Sequence, residues 1–578
     1  MNGGAILAEV LKKSGVQHMF TLCGGHIGPV YVEAEKAGLQ VWDVRHEATA
    51  VFAADALARL SGVPGVVAVT AGPGVTNAMT ALKNAQMAQS PLLLLGGATA
   101  TLLRRRGALQ DIDQAVLLHS TVKMELQAQR LRAVGPLARK ALRVAHSGVP
   151  GPVFLELPVD LLYPEATVRE WYGQKNKNAP GLAGKLAQWY IQRHLQRLFA
   201  GVEEQNEGVS LNPAAAAGQR LAGAARAVAL QLRYARRPLL LLGSGAMLAP
   251  QRAAELAEAV QRLGIPVFLS GMARGLLGRH SAIQFQHHRK EALRAADLIL
   301  LAGVPCDFRL DYGRHLNRRA RTIAISRNRA DLRQNLRPYR AYCADPAAFL
   351  VNLAAEAAGL PDWSEWKKTL QTREDERIAE IAQLALEPAP GGLNPLALFQ
   401  RLEQLLPDRS VLVADGGDFA ATAAYTLRPR KPLSWLDPGV FGTLGVGGGF
   451  ALGAAAWYPG DYIWIIYGDG SAAYSLAEFE TFAKNGLKVC GIVGNNGAWE
   501  QIARDQVALL GADTAVRLPR TDYHRVAEGY GAAGERVDTL EDFEEAIRRA
   551  LVSMDQGTPY LINAMTGATS FRKGSISM

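Results

Sequence analysis

The sequence predicts an α/β protein made of three doubly wound parallel-sheet domains, and three observations predict it. Uninterrupted apolar runs of strand length recur, among them 91–95, 238–242 and 462–467; runs without polar alternation mark parallel strands buried on both faces. Segments with apolar residues at helical spacing lie between them. The runs end in short glycine-rich or polar turns, such as Cys23-Gly24-Gly25-His26, Gly243-Ser244-Gly245 and Gly468-Asp469-Gly470-Ser471, and open α/β sheets bind ligands at those carboxyl ends. At 578 residues the chain is too long for one hydrophobic core, so about three or four domains are expected.

Residues 1–165 form the first domain. Ile6, Leu7, Val10 and Leu11 mark a helix face. Strands are expected over 16–22, 41–45, 66–70, 91–95 and 152–157, with an alanine-rich helix over 46–60 and another opening at Val75-Thr76-Asn77. Residues 166–218 break this pattern. A polar stretch at 175–179 precedes a basic amphipathic helix over 181–202, and 203–218 is low in order. In that helix Leu182, Leu186, Trp189, Tyr190, Leu195, Leu198 and Phe199 lie among Lys185, Arg193, His194 and Arg197. Such a helix either packs on its own protein or lies against a membrane surface or a partner.

The second α/β domain, 219–355, carries strands at 238–242, 267–269, 298–301 and 322–325. Its last strand ends in Ser326-Arg327-Asn328-Arg329, where a dinucleotide fold that prefers a free ribose places an acid and a basic residue accommodates an extra phosphate. Arg327 and Arg329, with Arg274, are therefore candidates for the phosphorylated nucleotide of coenzyme A, or else form a solvated basic edge. His287-His288 lies away from the active-site motifs and is not read as catalytic. A charged, helix-forming linker, 356–390, leads to the third domain, 391–565, and the tail 566–578 is a candidate lid.

The composition is that of an ordinary globular protein, 49% hydrophobic and 20% charged. The net charge of +10 is spread along the chain, apart from Arg104-Arg105-Arg106 and an arginine-rich region over 309–340. No nucleic-acid reading motif accompanies it, so an anionic substrate or a membrane face is the expected use of the charge. Cys23, Cys306, Cys343 and Cys490 form no CxxC pair, and buried free thiols in a reducing compartment are expected. No apolar run reaches membrane-spanning length, and 5–16 reads as the first helix of a domain rather than as a signal peptide.

The most informative stretch is 462–499. An apolar strand breaks into Gly468-Asp469-Gly470-Ser471, a helical segment follows with Leu476, Phe479, Phe482 and Ala483 on its face, and a second strand ends in Gly494-Asn495-Asn496-Gly497. A GDG triplet alone reads equally as a tight turn. Here Gly468 through Asn496 spans 29 residues, both ends counted, with strand, helix and strand between. Asp469 and Asn496 then sit on adjacent strand ends. With the backbone carbonyl of Ala498 they offer hard oxygen donors, which suit Mg²⁺ bridging to phosphate, and the glycines let backbone N–H groups approach a diphosphate.

That motif resembles the thiamine-diphosphate motif of the acetolactate synthase and pyruvate decarboxylase superfamily. RHEATAVFAADALAR followed by TAGPGVTN, DGGDF and FGTLG, as they stand here, resemble the other blocks of that superfamily. The resemblance covers nearly the whole chain, in the order pyrimidine, middle and pyrophosphate domain. It implies thiamine diphosphate and Mg²⁺ as cofactors. Glu47 would hydrogen-bond N1′ of the aminopyrimidine and promote ylid formation; read alone, it is a first-turn glutamate favoured by the helix dipole. Gly72 and Asn77 in one domain, and Gly416, Gly417, Asp418, Phe419, Gly442, Leu444, Asp469, Gly470, Ser471 and Asn496 in the other, would bind the cofactor. Gly442 would accept from N4′, and Leu444 would prop the V-shaped conformer where many relatives have methionine. Asp469, Asn496 and Ala498 would hold the metal. Glu47 coming from one subunit and the metal motif from the other implies at least a dimer.

CGGHIGPV, RRRGALQDIDQ, GMARGLLGR, LAGVPCDFRLDYGR and WLDPGVFGTLGVG are similar to the acetolactate synthase-like, type 2 2-hydroxyacyl-CoA lyase branch. That branch cleaves a 2-hydroxyacyl-CoA to formyl-CoA and an aldehyde one carbon shorter. Gln110 matches a glutamine lining the substrate pocket. His26, on a loop facing the thiazolium, is either a proton shuttle or a loop histidine bonded to backbone. The expected partner is an acyl-CoA substrate, with peripheral membrane contact through 181–202 as a further candidate. The expected location is soluble and cytoplasmic, or the endoplasmic reticulum membrane if an amino-terminal anchor precedes the chain. The competing readings are an acetolactate synthase with FAD in the middle domain and a catalytically degenerate scaffold.

Overall fold

Runs of Val, Ile and Leu with no polar alternation bury both faces of a strand, and such strands pair in parallel beneath helices. In a computed structural model of the chain, which describes residues 2–174, 181–201, 207–211 and 218–572, this logic gives three six-stranded, all-parallel sheets. The first contains β1 (His18–Thr21), β2 (Gln40–Asp43), β3 (Gly65–Val69), β4 (Leu92–Ala98), β5 (Glu125–Gln127) and β6 (Pro152–Pro158), in the order β2-β1-β3-β4-β6-β5. The second has β7 (Pro238–Leu242), β8 (Val267–Leu269), β9 (Gln284–Phe285), β10 (Leu298–Ala302), β11 (Arg321–Ser326) and β12 (Arg340–Cys343), ordered β12-β11-β10-β7-β8-β9. The third has β13 (Ser410–Ala414), β14 (Trp435–Leu436), β15 (Tyr462–Gly468), β16 (Val489–Asn495), β17 (Ala533–Val537) and β18 (Tyr560–Met565), ordered β14-β13-β15-β16-β18-β17.

The chain parts into two compact units: residues 1–58 with 63–213, and residues 59–62 with 214–578, so the second and third sheets share a unit. Each sheet has a switch point where the strand order reverses. It lies between β1 and β3 in the first sheet and between β13 and β15 in the third. The crevice outside such a switch point is where doubly wound sheets bind ligands. The loops that leave those strands carry His26 and Gly72 in the first sheet and Gly416 and Asp469 in the third.

Several expectations are corrected. The segment expected as a charged, helix-forming linker holds a packed helix, Ser364–Leu386. Trp363 and Trp366 are buried and donate their indole N–H groups to the Ala235 and Pro238 carbonyls at 2.9 and 3.0 Å. Glu374 on the same helix is buried and takes the Gln286 and His287 backbone N–H groups at 3.0 and 2.8 Å. Only Cys306 and Cys490 are buried; Cys23 and Cys343 are exposed, and all four are free. The amphipathic helix runs Gly181–Phe199. Its Leu195, Leu198 and Phe199 join the core of the first unit, whereas Leu182, Leu186, Trp189 and Tyr190 are exposed. The polar stretch at 175–179 and, within 203–218, residues 203–206 and 212–217 lie outside the described residues, as does the tail beyond Arg572. Among the described residues no helix is long and apolar enough to cross a membrane.

Candidate active site

In the first unit, β2 ends just before the helix Glu47–Ser61, whose first residue is the candidate glutamate. Glu47 is 7% exposed. Its Oε2 accepts a hydrogen bond from Asn77 Nδ2 at 3.0 Å, which fixes the carboxylate and leaves Oε1 facing Gly74. A Cβ at Gly74 would stand 3.6 Å from that oxygen. Asn77, expected at the cofactor, thus also orients the glutamate.

Beyond β1 and β4, His26 packs against Gly97, where a Cβ would come within 2.6 Å of the His26 carbonyl oxygen. Burial holds the His26 pKa below the ordinary histidine value, and a hydrogen bond to Gln110 pulls part of that back. A neutral imidazole can take or give a proton near neutrality. Gln110 is a non-glycine residue in the left-handed region, φ 62°, and strained backbone of this kind clusters at functional sites. Its Cβ would meet a side chain on Gly72 at 2.9 Å, and Gly72 itself has φ 62°. The structure therefore brings His26, Gln110 and Gly72 together.

Sequence reading missed the buried residue that ties them down. Gln114 accepts from Gly72 N at 2.9 Å and donates to the Gly97 carbonyl at 3.1 Å and to Glu156 Oε2 at 3.0 Å, while Arg104 ion-pairs with Glu156. No local pattern announces a glutamine with partners on the loop after β3, on β4 and on β6.

In the second unit nearly all the residues assigned from sequence line one cavity of about 280 Å³: Gly416, Gly417, Asp418, Phe419, Gly442, Leu444, Asp469, Gly470, Ser471, Asn496 and Ala498. The glycines are there for contact or for space. A Cβ on Gly416 would lie 2.1 Å from Leu444 Cδ2, one on Gly470 would enter the Trp499 ring at 2.4 Å, and Gly417 and Gly442 have open space where a Cβ would stand. The helix Asp418–Thr426 starts at Gly417 with no side-chain cap, so its first N–H groups are available to an anion. Asp418 offers its backbone N–H there rather than its carboxylate, which is held by Arg504 at 2.6 Å.

Asp469 Oδ2 accepts from Gly497 N at 2.7 Å and Ala498 N at 3.2 Å, and Oδ1 from Gly470 N at 2.8 Å. Burial raises its pKa, against those three bonds. Parallel pairing of Gly468 with Gly494 puts Asp469 and Asn496 on neighbouring strand ends, as expected. Among the described residues no three His, Cys, Asp or Glu side chains cluster as a metal site. One carboxylate, an amide oxygen and a backbone carbonyl fit a hard cation that takes its remaining donors from phosphate and water. The donor set and the open glycine cradle therefore fit a magnesium diphosphate. A further buried anchor was missed: Asp415 accepts from Gly445 N at 2.9 Å and Gly447 N at 2.7 Å, pinning the turn that carries Gly442 and Leu444. Burial pushes its pKa up to about 7.

Of the three arginines assigned to a nucleotide, Arg327 is occupied by Asp345, with Nε to Oδ2 at 2.6 Å, and Arg329 is exposed. Arg274 instead lines a second cavity of about 460 Å³ in the same unit, together with Arg289, Lys290, Glu291, Arg377 and Arg428; Arg377 pairs with Glu380 at 2.5 Å and Arg428 with Glu374 at 3.4 Å. Arg274 and Arg289 lie close enough that burial, and for Arg289 also the Arg274 charge, depresses their pKa values. His287, not read as catalytic, lines this cavity, stacked on Tyr425 with centroids 6.4 Å apart. Burial and the neighbouring Arg428 and Arg377 lower its pKa to about 4, so it is neutral near pH 7.

Three family models match the chain in order: "Thiamine pyrophosphate enzyme, N-terminal TPP binding domain" over residues 1–117, "central domain" over 225–353 and "C-terminal TPP binding domain" over 415–564. A zebrafish (Danio rerio) protein named 2-hydroxyacyl-CoA lyase 2 is 49% identical, with all of this chain and 93% of that protein aligned. The human (Homo sapiens) protein of the same name is 46% identical, covering all of this chain and 92% of its own length. A "Probable acetolactate synthase" of Mycobacterium bovis is 33% identical over 98% of this chain and 96% of its own. With all three domains matched in order and relatives aligned from end to end, the chain belongs to the thiamine pyrophosphate enzyme family, and it is more similar to these 2-hydroxyacyl-CoA lyase 2 proteins than to the mycobacterial synthase.

Proposed function

We propose that the protein is a thiamine-diphosphate- and Mg²⁺-dependent lyase that breaks the C1–C2 bond of a 2-hydroxyacyl-CoA, giving formyl-CoA and an aldehyde one carbon shorter. The observation that carries the acyl-CoA reading is the cavity lined by five cationic side chains, of which Arg377 and Arg428 are ion-paired with Glu380 and Glu374. It suits the phosphates of coenzyme A, since cations crowded in a buried space are relieved by an arriving polyanion. The names of the relatives support the same substrate class.

Thiamine diphosphate, when bound, supplies the carbon nucleophile and the electron sink. The chain does the rest. Glu47, oriented by Asn77, accepts the hydrogen bond of the aminopyrimidine. Asp469, Asn496 and the Ala498 carbonyl hold the cation, and the amides at Gly417–Phe419 meet the diphosphate. His26, paired with Gln110, takes the proton of the substrate hydroxyl as the C1–C2 bond breaks and returns one to carbon 1, so the products balance without any added oxidant or reductant. The same groups serve the reverse condensation by microscopic reversibility. The smallest working assembly is a dimer, as the resemblance implies.

Replacing Arg289 by Met removes one charge-assisted phosphate contact of about 1.5–3 kcal/mol. The KM for the CoA ester is expected to rise roughly tenfold to a hundredfold with kcat nearly unchanged. An unchanged KM places the nucleotide elsewhere.

The helix Gly181–Phe199 has no acidic residue and presents Leu182, Leu186, Trp189 and Tyr190 to solvent beside Lys185, Arg193 and Arg197. The Arg193 guanidinium stacks 5.2 Å from the Trp189 ring. That face suits an anionic lipid surface, where each Lys or Arg is worth about 1 kcal/mol. The protein is expected to sediment with phosphatidylserine-containing vesicles, and the double variant Leu186→Ser, Trp189→Ser to remain in solution. Equal sedimentation of both proteins contradicts membrane contact through this helix.

A further inference from the structure

One carboxylate beside the cation donors takes no part in the steps above. Glu500 opens the helix Glu500–Leu510 four residues after Asn496, and its Oε2 accepts from Asn496 Nδ2 at 3.0 Å. A side-chain amide has one donating and one accepting end, and an ionised carboxylate only accepts. Glu500 therefore fixes which end of the Asn496 amide faces it. The other end, Oδ1, accepts from Ala498 N at 3.2 Å, and the same N–H lies 3.2 Å from Asp469 Oδ2. Two oxygens, one from each strand end, thus share the Ala498 N–H while the third group turns the amide.

We propose that Glu500 is the positioning residue of the cation site: it holds the Asn496 amide with Oδ1 towards Asp469, so that both oxygens are presented together before the cation arrives. The proposal rests on the magnesium reading above. Without Glu500 the amide has no partner on its donor side and rotates. An Asn496 turned by a half-rotation offers N–H groups to a cation, which repel it. Partners that orient a metal's own ligands in this way contribute tenfold to a hundredfold in metal affinity. A carboxylate in the first turn of a helix is also favoured by the helix dipole, so the test has to separate orientation from simple stabilisation of the helix.

The experiment is Mn²⁺ binding, followed by loss of the free-ion electron paramagnetic resonance signal, on the full chain with thiamine diphosphate present. The variants are Glu500→Ala, Glu500→Gln and Asp469→Ala, with thermal unfolding recorded for each. Glu500→Ala is expected to weaken Mn²⁺ roughly tenfold to a hundredfold, whereas Glu500→Gln, whose Oε1 still accepts from Asn496, stays within about threefold of the parent. Alanine and glutamine variants that weaken binding equally would show that charge, not orientation, is what matters, and would overturn the proposal. So would an alanine variant with unchanged affinity, or one whose affinity falls only in proportion to a loss of folded protein. If Asp469→Ala also binds Mn²⁺ like the parent, the magnesium reading itself fails, and it fails separately from the assignment of Glu500.

Discussion

Glu47→Gln is expected to lower kcat by between about a hundredfold and ten-thousandfold, the span of a lost acid–base contact, and to leave the fold unchanged. Glutamine has nearly the same volume, and its Oε1 still accepts from Asn77, so the packing around a residue only 7% exposed is kept. The oxygen next to Gly74 becomes an NH₂ group, which cannot accept the aminopyrimidine's proton. Steady-state kinetics with circular dichroism as a control for folding measure this. A loss of less than tenfold with cofactor bound removes Glu47 from the chemistry.

Asp469→Ala is expected to abolish retention of both cation and cofactor, and activity with them. Its carboxylate accepts three backbone N–H groups, from Gly470, Gly497 and Ala498, the last shared with Asn496 Oδ1. Bonds to a charged acceptor are worth about 1.5–3 kcal/mol each, so the turn after β16 loosens as well. Asp469→Asn retains an acceptor for that turn but no charge for the cation. Thiochrome fluorescence after desalting should find thiamine diphosphate in the parent and almost none in either variant, with the alanine variant alone losing several degrees in Tm. Full cofactor content in both would contradict the assigned cation site.

What could be read from the sequence follows from what was local. β3, β4, β7, β10, β13, β15 and β16 are apolar but for Ser410 and Asn495 at strand ends, because helices cover both faces, and each stood out as an apolar run. β5, β9, β12, β14 and β17 did not. They are short or lie at sheet edges, and β12, with Arg340, Ala341 and Cys343 exposed, carries no strand pattern. The helix Ser364–Leu386 read as a linker because its charges outnumber the buried Trp366, Leu370, Ile381 and Ala385.

The same division holds at the site. Asp469, Asn496 and the glycines around them lie within one βαβ unit, so their spacing carried the information. Glu500 lies just beyond that unit, and its role depends on which end of the Asn496 amide it meets, a matter of rotamer rather than of spacing. The anchors Gln114 and Asp415 act across loops. The cation cavity draws on Arg274, Arg289, Arg377 and Arg428, which only the packing of the third sheet's unit brings together. Arg327 was assigned by strand-end logic, and the Asp345 that engages it comes from beyond the next strand.

The measurement that tests the central claim most directly is product identification. Purified protein, loaded with thiamine diphosphate and Mg²⁺, is incubated with a long-chain 2-hydroxyacyl-CoA and, separately, with pyruvate. The account predicts equimolar formyl-CoA and an aldehyde one carbon shorter from the CoA ester, both absent with Glu47→Gln, and no acetolactate from pyruvate. Acetolactate from pyruvate with an intact CoA ester would contradict it and make the protein a carboligase of 2-oxo acids.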